Sequence, residues 1–159
     1  MSVTIRAAER GDVPALLALV KELAEYERLS HAVVATEESF AAALFDDCPE
    51  AEAIVAESED GPVGFAVFFA NFSTFLGRSG IYLEDLYVRP ELRGQGIGKR
   101  LLAEVAKRAV ERGCQRLEWA VLDWNEPSIQ FYKSLGAKPL DDWTTFRMTP
   151  EAIAKLAGA

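Results

Sequence analysis

"RPELRGQGIGKRLL", from Arg89 to Leu102, sets Gly94, Gly96 and Gly98 ahead of a long helical pattern and behind a strand-like apolar run. A nucleotide P-loop needs GxxxxGK followed by Ser or Thr, but Arg93 stands five residues before Gly98 and Arg100 follows Lys99. A dinucleotide fingerprint needs GxGxxG, and Lys99 and Leu101 stand where its last glycine belongs. What fits is a glycine turn at a helix N-terminus, whose free backbone N–H groups and dipole favour an anion such as a diphosphate. A tight strand-to-helix turn with no ligand fits the same glycines.

Working outward, "IYLEDLYV" before the loop reads as a strand. The pattern Ile97, Leu101, Leu102, Val105, Ala109 after it predicts a helix from about Gly96 to Arg112, stopped by Gly113. "CQRLEWAVL" returns as a strand, and strand, helix and strand in this order make a crossover that closes a parallel pair. Upstream, "AEAIVAE" and "VGFAVFFA" flank a turn at Asp60 and Gly61 and predict an antiparallel hairpin. "TIRAA" predicts a first strand, followed by a helix capped by Asp12 that carries Val13, Leu16, Leu17, Val20 and Leu23 and ends near Tyr26. A shorter helix starts after Thr36 with Phe40 and Leu44 inward. Downstream, Asn125 caps "EPSIQFYKSL", "TTFRM" reads as an edge strand and "PEAIAKLA" as a last helix. The fold class is α/β in the mixed α+β sense: one domain over 1–159, a mostly antiparallel sheet with one parallel crossover pair, flanked by helices.

The chain has 159 residues, half of them hydrophobic, which supports one real core. With 17 Lys+Arg against 25 Asp+Glu its formal charge is −8, so a nucleic-acid backbone is excluded as a favourable partner. No stretch reaches the roughly 18 apolar residues of a membrane helix, and the first ten residues lack a signal peptide's apolar centre, so a cytoplasmic protein is expected. Cys48 and Cys114 have neither CxxC nor Cys/His spacing, so no metal site is expected. His31, the single histidine, lies in a predicted loop and is assigned no role.

Glu84 and Asp85 interrupt the apolar run of "IYLEDLYV". Since side chains alternate along a strand, one acid is expected on each face, with at least one among apolar neighbours where its pKa rises.

Arg93, Gly96 and Gly98, after a strand and before a long helix, match the Arg/Gln-x-x-Gly-x-Gly signature, and the chain resembles the GNAT N-acetyltransferases. More narrowly, "KELAEYE", "YLEDLYV", "RGQGIG" and "AVLDWNEPSIQFYKSLGA" resemble the spermidine/spermine (diamine) and thialysine acetyltransferase group, from Ile5 to Ala157. The resemblance implies acetyl-CoA as co-substrate, bound by Leu86, Tyr87, Val88, Arg93, Gly94, Gln95, Gly96, Ile97, Gly98, Lys99, Asn125 and Tyr132. It implies a small amine substrate met by Tyr26, Glu27, Glu84 and Asp85, with Glu84 taking the amine proton and Tyr132 facing the leaving sulfur. A primary amine makes such a base useful, since its neutral form costs about 4 to 5 kcal/mol at pH 7. A phenol donates to a thiolate only uphill by about 2 kcal/mol, so a hydrogen bond from Tyr132 is enough for the role. The resemblance further implies a bulge near Glu84 to Tyr87 and a homodimer. With no recognised nucleophile, direct attack by the amine is expected. Acetylation of protein or peptide amines and acyl-CoA binding without turnover are the alternative readings.

Overall fold

The structure, a computed structural model, describes residues 2–159, and the chain divides into two compact units, one running to Ala120 and one from Val121 to Ala159. In the first unit β1 (Thr4–Ala7), β2 (Glu52–Ser58), β3 (Gly61–Ser73), β4 (Arg78–Val88) and β5 (Leu117–Glu118) form one sheet in that order. Each neighbouring pair is antiparallel except β4 with β5, which the helix α3 (Ile97–Glu111) joins as a parallel crossover.

On one face of the sheet lie α1 (Val13–Tyr26) and α2 (Glu37–Phe45). Leu16 and Leu19 of α1 close on Val55, Phe65 and Tyr87, with Phe40 and Leu44 of α2 packed against this cluster as their spacing predicts. Burying a ring such as Phe65, which is fully enclosed, contributes about 2 to 3 kcal/mol. The other face takes α3, whose buried stripe is the predicted Ile97, Leu101, Leu102, Val105 and Ala109. Phe68 looks that way, with the Arg108 guanidinium 5.9 Å from its ring centre.

Local chemistry sets most element ends. Thr36 accepts the Ser39 amide and caps α2, and Gly113, at φ 70°, turns the chain out of α3 where a side chain would be strained. Asp12 does not cap α1: its carboxylate accepts the Glu9 amide at 2.7 Å and a forked pair of bonds from Arg6 at 2.8 and 2.9 Å. A charged fork to Arg6 outcompetes a neutral cap, and it holds the Asp12 carboxyl below the usual range.

The predicted strand over "CQRLEWAVL" shrinks to Leu117–Glu118, paired with Ile81 and Tyr82. The partner strand explains the loss. One residue past Leu83, β4 carries a bulge, and a bulge bends its strand and ends a ladder.

In the second unit α4 (Glu126–Ser134) starts at Asn125, whose side chain accepts the Ser128 amide at a long 3.4 Å, and α5 (Pro150–Ala157) is capped by Thr149. The expected strand "TTFRM" is irregular and exposed. A strand exists only where a neighbour takes its backbone groups, and none pairs with it among the described residues. No helix among them is long and apolar enough to cross a membrane.

Candidate active site

The register of β3 against β4 slips where Val67 faces Asp85 while Phe68 faces Leu83, leaving Glu84 as the extra residue. This is the bulge expected near Glu84, and it changes the faces. Ile81 and Leu83 point to the α3 side with Phe68; beyond the bulge Leu86 and Val88 take over that side, and Asp85 and Tyr87 turn to the α1 side with Val67 and Phe65. Simple alternation, one acid to each face, therefore does not hold. Glu84 sits exposed on the lip of the bulge and Asp85 is half-buried beneath α1.

Asp85 has an unusual environment. Burial, then the negative charges of Glu84 and Glu27, push its carboxyl up to about 7. No cation among the described residues offsets these effects. Glu27 follows the last residue of α1, and burial raises its carboxyl too. The C-terminal end of a helix carries partial negative charge, so the end of α1 adds to the negative field that Glu84 and Glu27 set up at Asp85. Tyr82, tilted against Phe69 with ring centres 5.3 Å apart, borders it, its hydroxyl pKa raised first by burial and then by Glu84.

Beyond Val88 the chain passes a short turn at Pro90–Leu92 into the glycine loop. Gly94 and Gly96 both adopt φ 80°, which ordinary residues reach only under strain, and a side chain at either would meet open space. The helical ladder begins with the Arg100 amide donating to the Gly96 carbonyl at 3.0 Å, so the amides before it have no acceptor in the ladder. The Arg93 amide is already used, donating to Pro90 at 3.2 Å, and outward-facing donors start at Gly94. Lys99 is exposed, whereas Arg100 folds back to the Val3 carbonyl at 2.8 Å.

The Arg93 side chain lies on the surface against two rings. Its Nε donates to the Val88 carbonyl at 2.9 Å, and its guanidinium carbon lies 4.8 Å from the Tyr26 ring centre and 5.5 Å from that of Tyr87. Arg89, four residues earlier, is tied to Glu22 of α1 at 3.2 Å. These two ties to α1 were not readable in the sequence, because nothing local marks a partner about 67 positions away.

From Leu83 to Val88 the edge of β4 opposite β3 has no partner strand among the described residues, since β5 ends at Glu118. An open backbone edge binds an extended chain bearing amides, as pantetheine does. Open edge, left-handed glycines and unspent amides together fit an acyl-CoA along Leu86, Tyr87, Val88 and Gly94 to Lys99. No group of side chains that could hold a metal occurs among the described residues.

The first unit thus brings together Tyr26, Glu27, Glu84, Asp85, Leu86 to Val88 and the Arg93 to Lys99 loop. Asn125 and Tyr132 belong to the second unit, on the first turns and at the end of α4; the Tyr132 ring is 5.4 Å from that of Phe131.

The model of the acetyltransferase (GNAT) family matches residues 17–137. The chain is 44% identical to the thialysine N-epsilon-acetyltransferase of Bos taurus over 98% of both chains. It is 32% identical to the L-ornithine N5-acetyltransferase of Arabidopsis thaliana over 94% of this chain and 85% of that one. Among solved structures, an integron cassette protein of V. cholerae superposes with a TM-score of 0.82 at 29% identity, covering 100% of this chain and 99% of that one. A five-stranded mixed sheet opened at a bulged strand ahead of a glycine-capped helix is the frame of an N-acetyltransferase, and this chain is one. It belongs to the GNAT family, whose enzymes take their acetyl group from acetyl-CoA.

Proposed function

We propose that the protein transfers the acetyl group of acetyl-CoA to the primary amine of a small cationic substrate of the thialysine, diamine or polyamine kind, by direct attack of the amine. The observation that carries the reading is Asp85, turned by the bulge into a half-buried site under the negative charges of Glu84 and Glu27, with no cation among the described residues to offset them. Such a site is incomplete without a positive ligand.

Acetyl-CoA supplies an acyl group activated by a thiol leaving group. The amides of Gly94 to Lys99 hold its diphosphate, the open edge at Leu86 to Val88 lines up its amide-bearing arm, and Arg93 anchors the loop. On the amine side, Asp85 and Glu27 draw in the ammonium group, helped by Tyr26 at the rim. Glu84, on the wet lip of the bulge, takes the proton directly or through water, because only the neutral amine has a lone pair. The nitrogen–acyl bond forms as the carbon–sulfur bond breaks. To Tyr132 the proposal assigns a hydrogen bond to the departing sulfur, and to Asn125 a contact with the pantetheine arm; both rest on the resemblance. The proposal extends to a cytoplasmic homodimer, supported by the strong exposure of Trp143 and Phe146 in the second unit.

The test is thiol release from acetyl-CoA with thialysine, lysine, ornithine, diamines, polyamines and peptides, in wild type and Glu84→Gln. Turnover of small amines that fails in the variant while acetyl-CoA still binds supports the reading. Turnover of peptides alone, or undiminished turnover in the variant, contradicts it.

A further inference from the structure

We infer that Glu118 is a specificity-determining residue of the amine site: it receives a second positive group on the substrate, and Tyr82 beside it supports the carbon chain between that group and the reacting nitrogen. The inference rests on the amine-site reading above and adds to it a residue of β5.

The first ground is position. β5 pairs with β4 in parallel, Ile81 with Leu117 and Tyr82 with Glu118, and paired residues of neighbouring strands point to the same side. Across the other ladder Tyr82 faces Phe69, two residues from Val67, which faces Asp85. Asp85, Tyr82 and Glu118 therefore share the α1 side of the sheet.

The second ground is spacing. Two residues along β3 set Tyr82 and Glu118 about 7 Å from the level of Asp85, and the step from β4 to β5 adds about 5 Å across, so the Asp85 and Glu118 backbones are about 8 to 9 Å apart. In putrescine and ornithine alike, five bonds separate the two nitrogens, about 6 Å when extended. With a hydrogen bond at each end, one such molecule reaches both carboxylates.

The third ground is the surface between them. Tyr82 is half-buried and tilted against Phe69, ring centres 5.3 Å apart, and the two rings give methylene groups an apolar floor. Burial first, then the charges of Glu84 and Glu118, raise the Tyr82 hydroxyl pKa, which places both carboxylates near that ring. Glu118 is itself half-buried, and among the described residues no cation forms an ion pair with it. The nearest arginine in the chain, Arg116, accepts the Ile81 amide on its carbonyl at 3.0 Å and so lies farther from Asp85 than Glu118 does, leaving the path between the two acids clear of it. A second ammonium gains a charge-assisted hydrogen bond at Glu118 that a monoamine cannot make.

Substrates matched at the far end test this: putrescine against butylamine, and ornithine against its analogue lacking the α-amino group. Whichever pair the enzyme turns over decides. Wild type is expected to favour the doubly charged nitrogen pattern in kcat/KM by about tenfold or more, well beyond the statistical gain from putrescine's two equivalent ends. In Glu118→Gln, which keeps the size and a polar end, most of that preference is lost through the KM of the member with two ammonium groups, while its matched partner and the acetyl-CoA KM hold. Glu118→Asp, still charged but one methylene shorter, is expected to fall between. A pair ratio near unity in wild type overturns the proposal, and so does a ratio unchanged in Glu118→Gln. Equal losses for both members of a pair in that variant overturn it too, since they mark a structural role. Thiol release with none of these amines sinks the amine-site reading itself, a different failure with a different signature.

Discussion

Replacing Asp85 by Asn is expected to stabilise the fold, and more so in alkali than in mild acid. The Asp85 carboxyl ionises near 7 in the folded chain against an ordinary 3.8, so the folded state holds its proton more tightly than the unfolded state. Stability then falls as pH rises from about 4 to about 7 on account of this one group, and the full loss is present above 7. Ionising near 7 instead of 3.8 corresponds to a penalty of about 4 kcal/mol at pH 8 and about 2 kcal/mol at pH 5, upper bounds because water reaches a half-buried group. An amide cannot ionise and escapes both. Denaturant titrations at the two pH values should find Asp85→Asn more stable than wild type, with a gap up to about 2 kcal/mol wider at pH 8. A variant equally or less stable at pH 8, or a gap independent of pH, would refute the argument that burial and Glu84 and Glu27 hold this carboxyl high. The same variant should lose amine turnover, the pattern of a site that trades stability for binding.

Other expectations follow from the same geometry. In wild type, kcat/KM for the amine should climb as pH rises through about 7, where Asp85 becomes charged, and this limb should vanish in Asp85→Asn; pH–rate profiles of both decide it. Gly96→Ala forces a side chain to φ 80° and should cost about 1 to 2 kcal/mol while raising the acetyl-CoA KM, read by melting and by initial rates. Tyr132→Phe should lower kcat about a hundredfold with acetyl-CoA affinity retained, as equilibrium binding would show. Thr36→Ala removes the α2 cap and should cost about 1 kcal/mol in denaturant midpoint without changing kcat.

The hairpin, the crossover and both long helices were readable because local chemistry and apolar period agree along them: the α3 stripe and its Gly113 stop are one case, Thr36 with Phe40 and Leu44 another. The bulge left a trace as well. Ile81 and Leu83 occupy odd positions and Leu86 and Val88 even ones, so the apolar parity of β4 changes at Glu84 and Asp85, where an extra residue restores both pairs to one face. Strict alternation passes over that change, and with it the side on which Asp85 lies. Other features depended on partners distant in the chain. Asp12 reads as a cap until Arg6 is seen to claim it, and "CQRLEWAVL" reads as a full strand until the bulge ends its ladder. The glycine loop was legible as a turn into a helix, but the contact of Arg93 with Tyr26 was not, since it joins the end of α1 to a loop about 67 positions later.

The account turns on two sites meeting at one bulged strand. A crystal structure with coenzyme A and an amine that the enzyme turns over tests this most directly. The account predicts the diphosphate on the amides of Gly94 to Lys99 and the substrate's terminal nitrogen within hydrogen-bond reach of the Glu84 and Asp85 carboxylates. A diphosphate bound away from that loop, or an amine held far from the bulge, would contradict it.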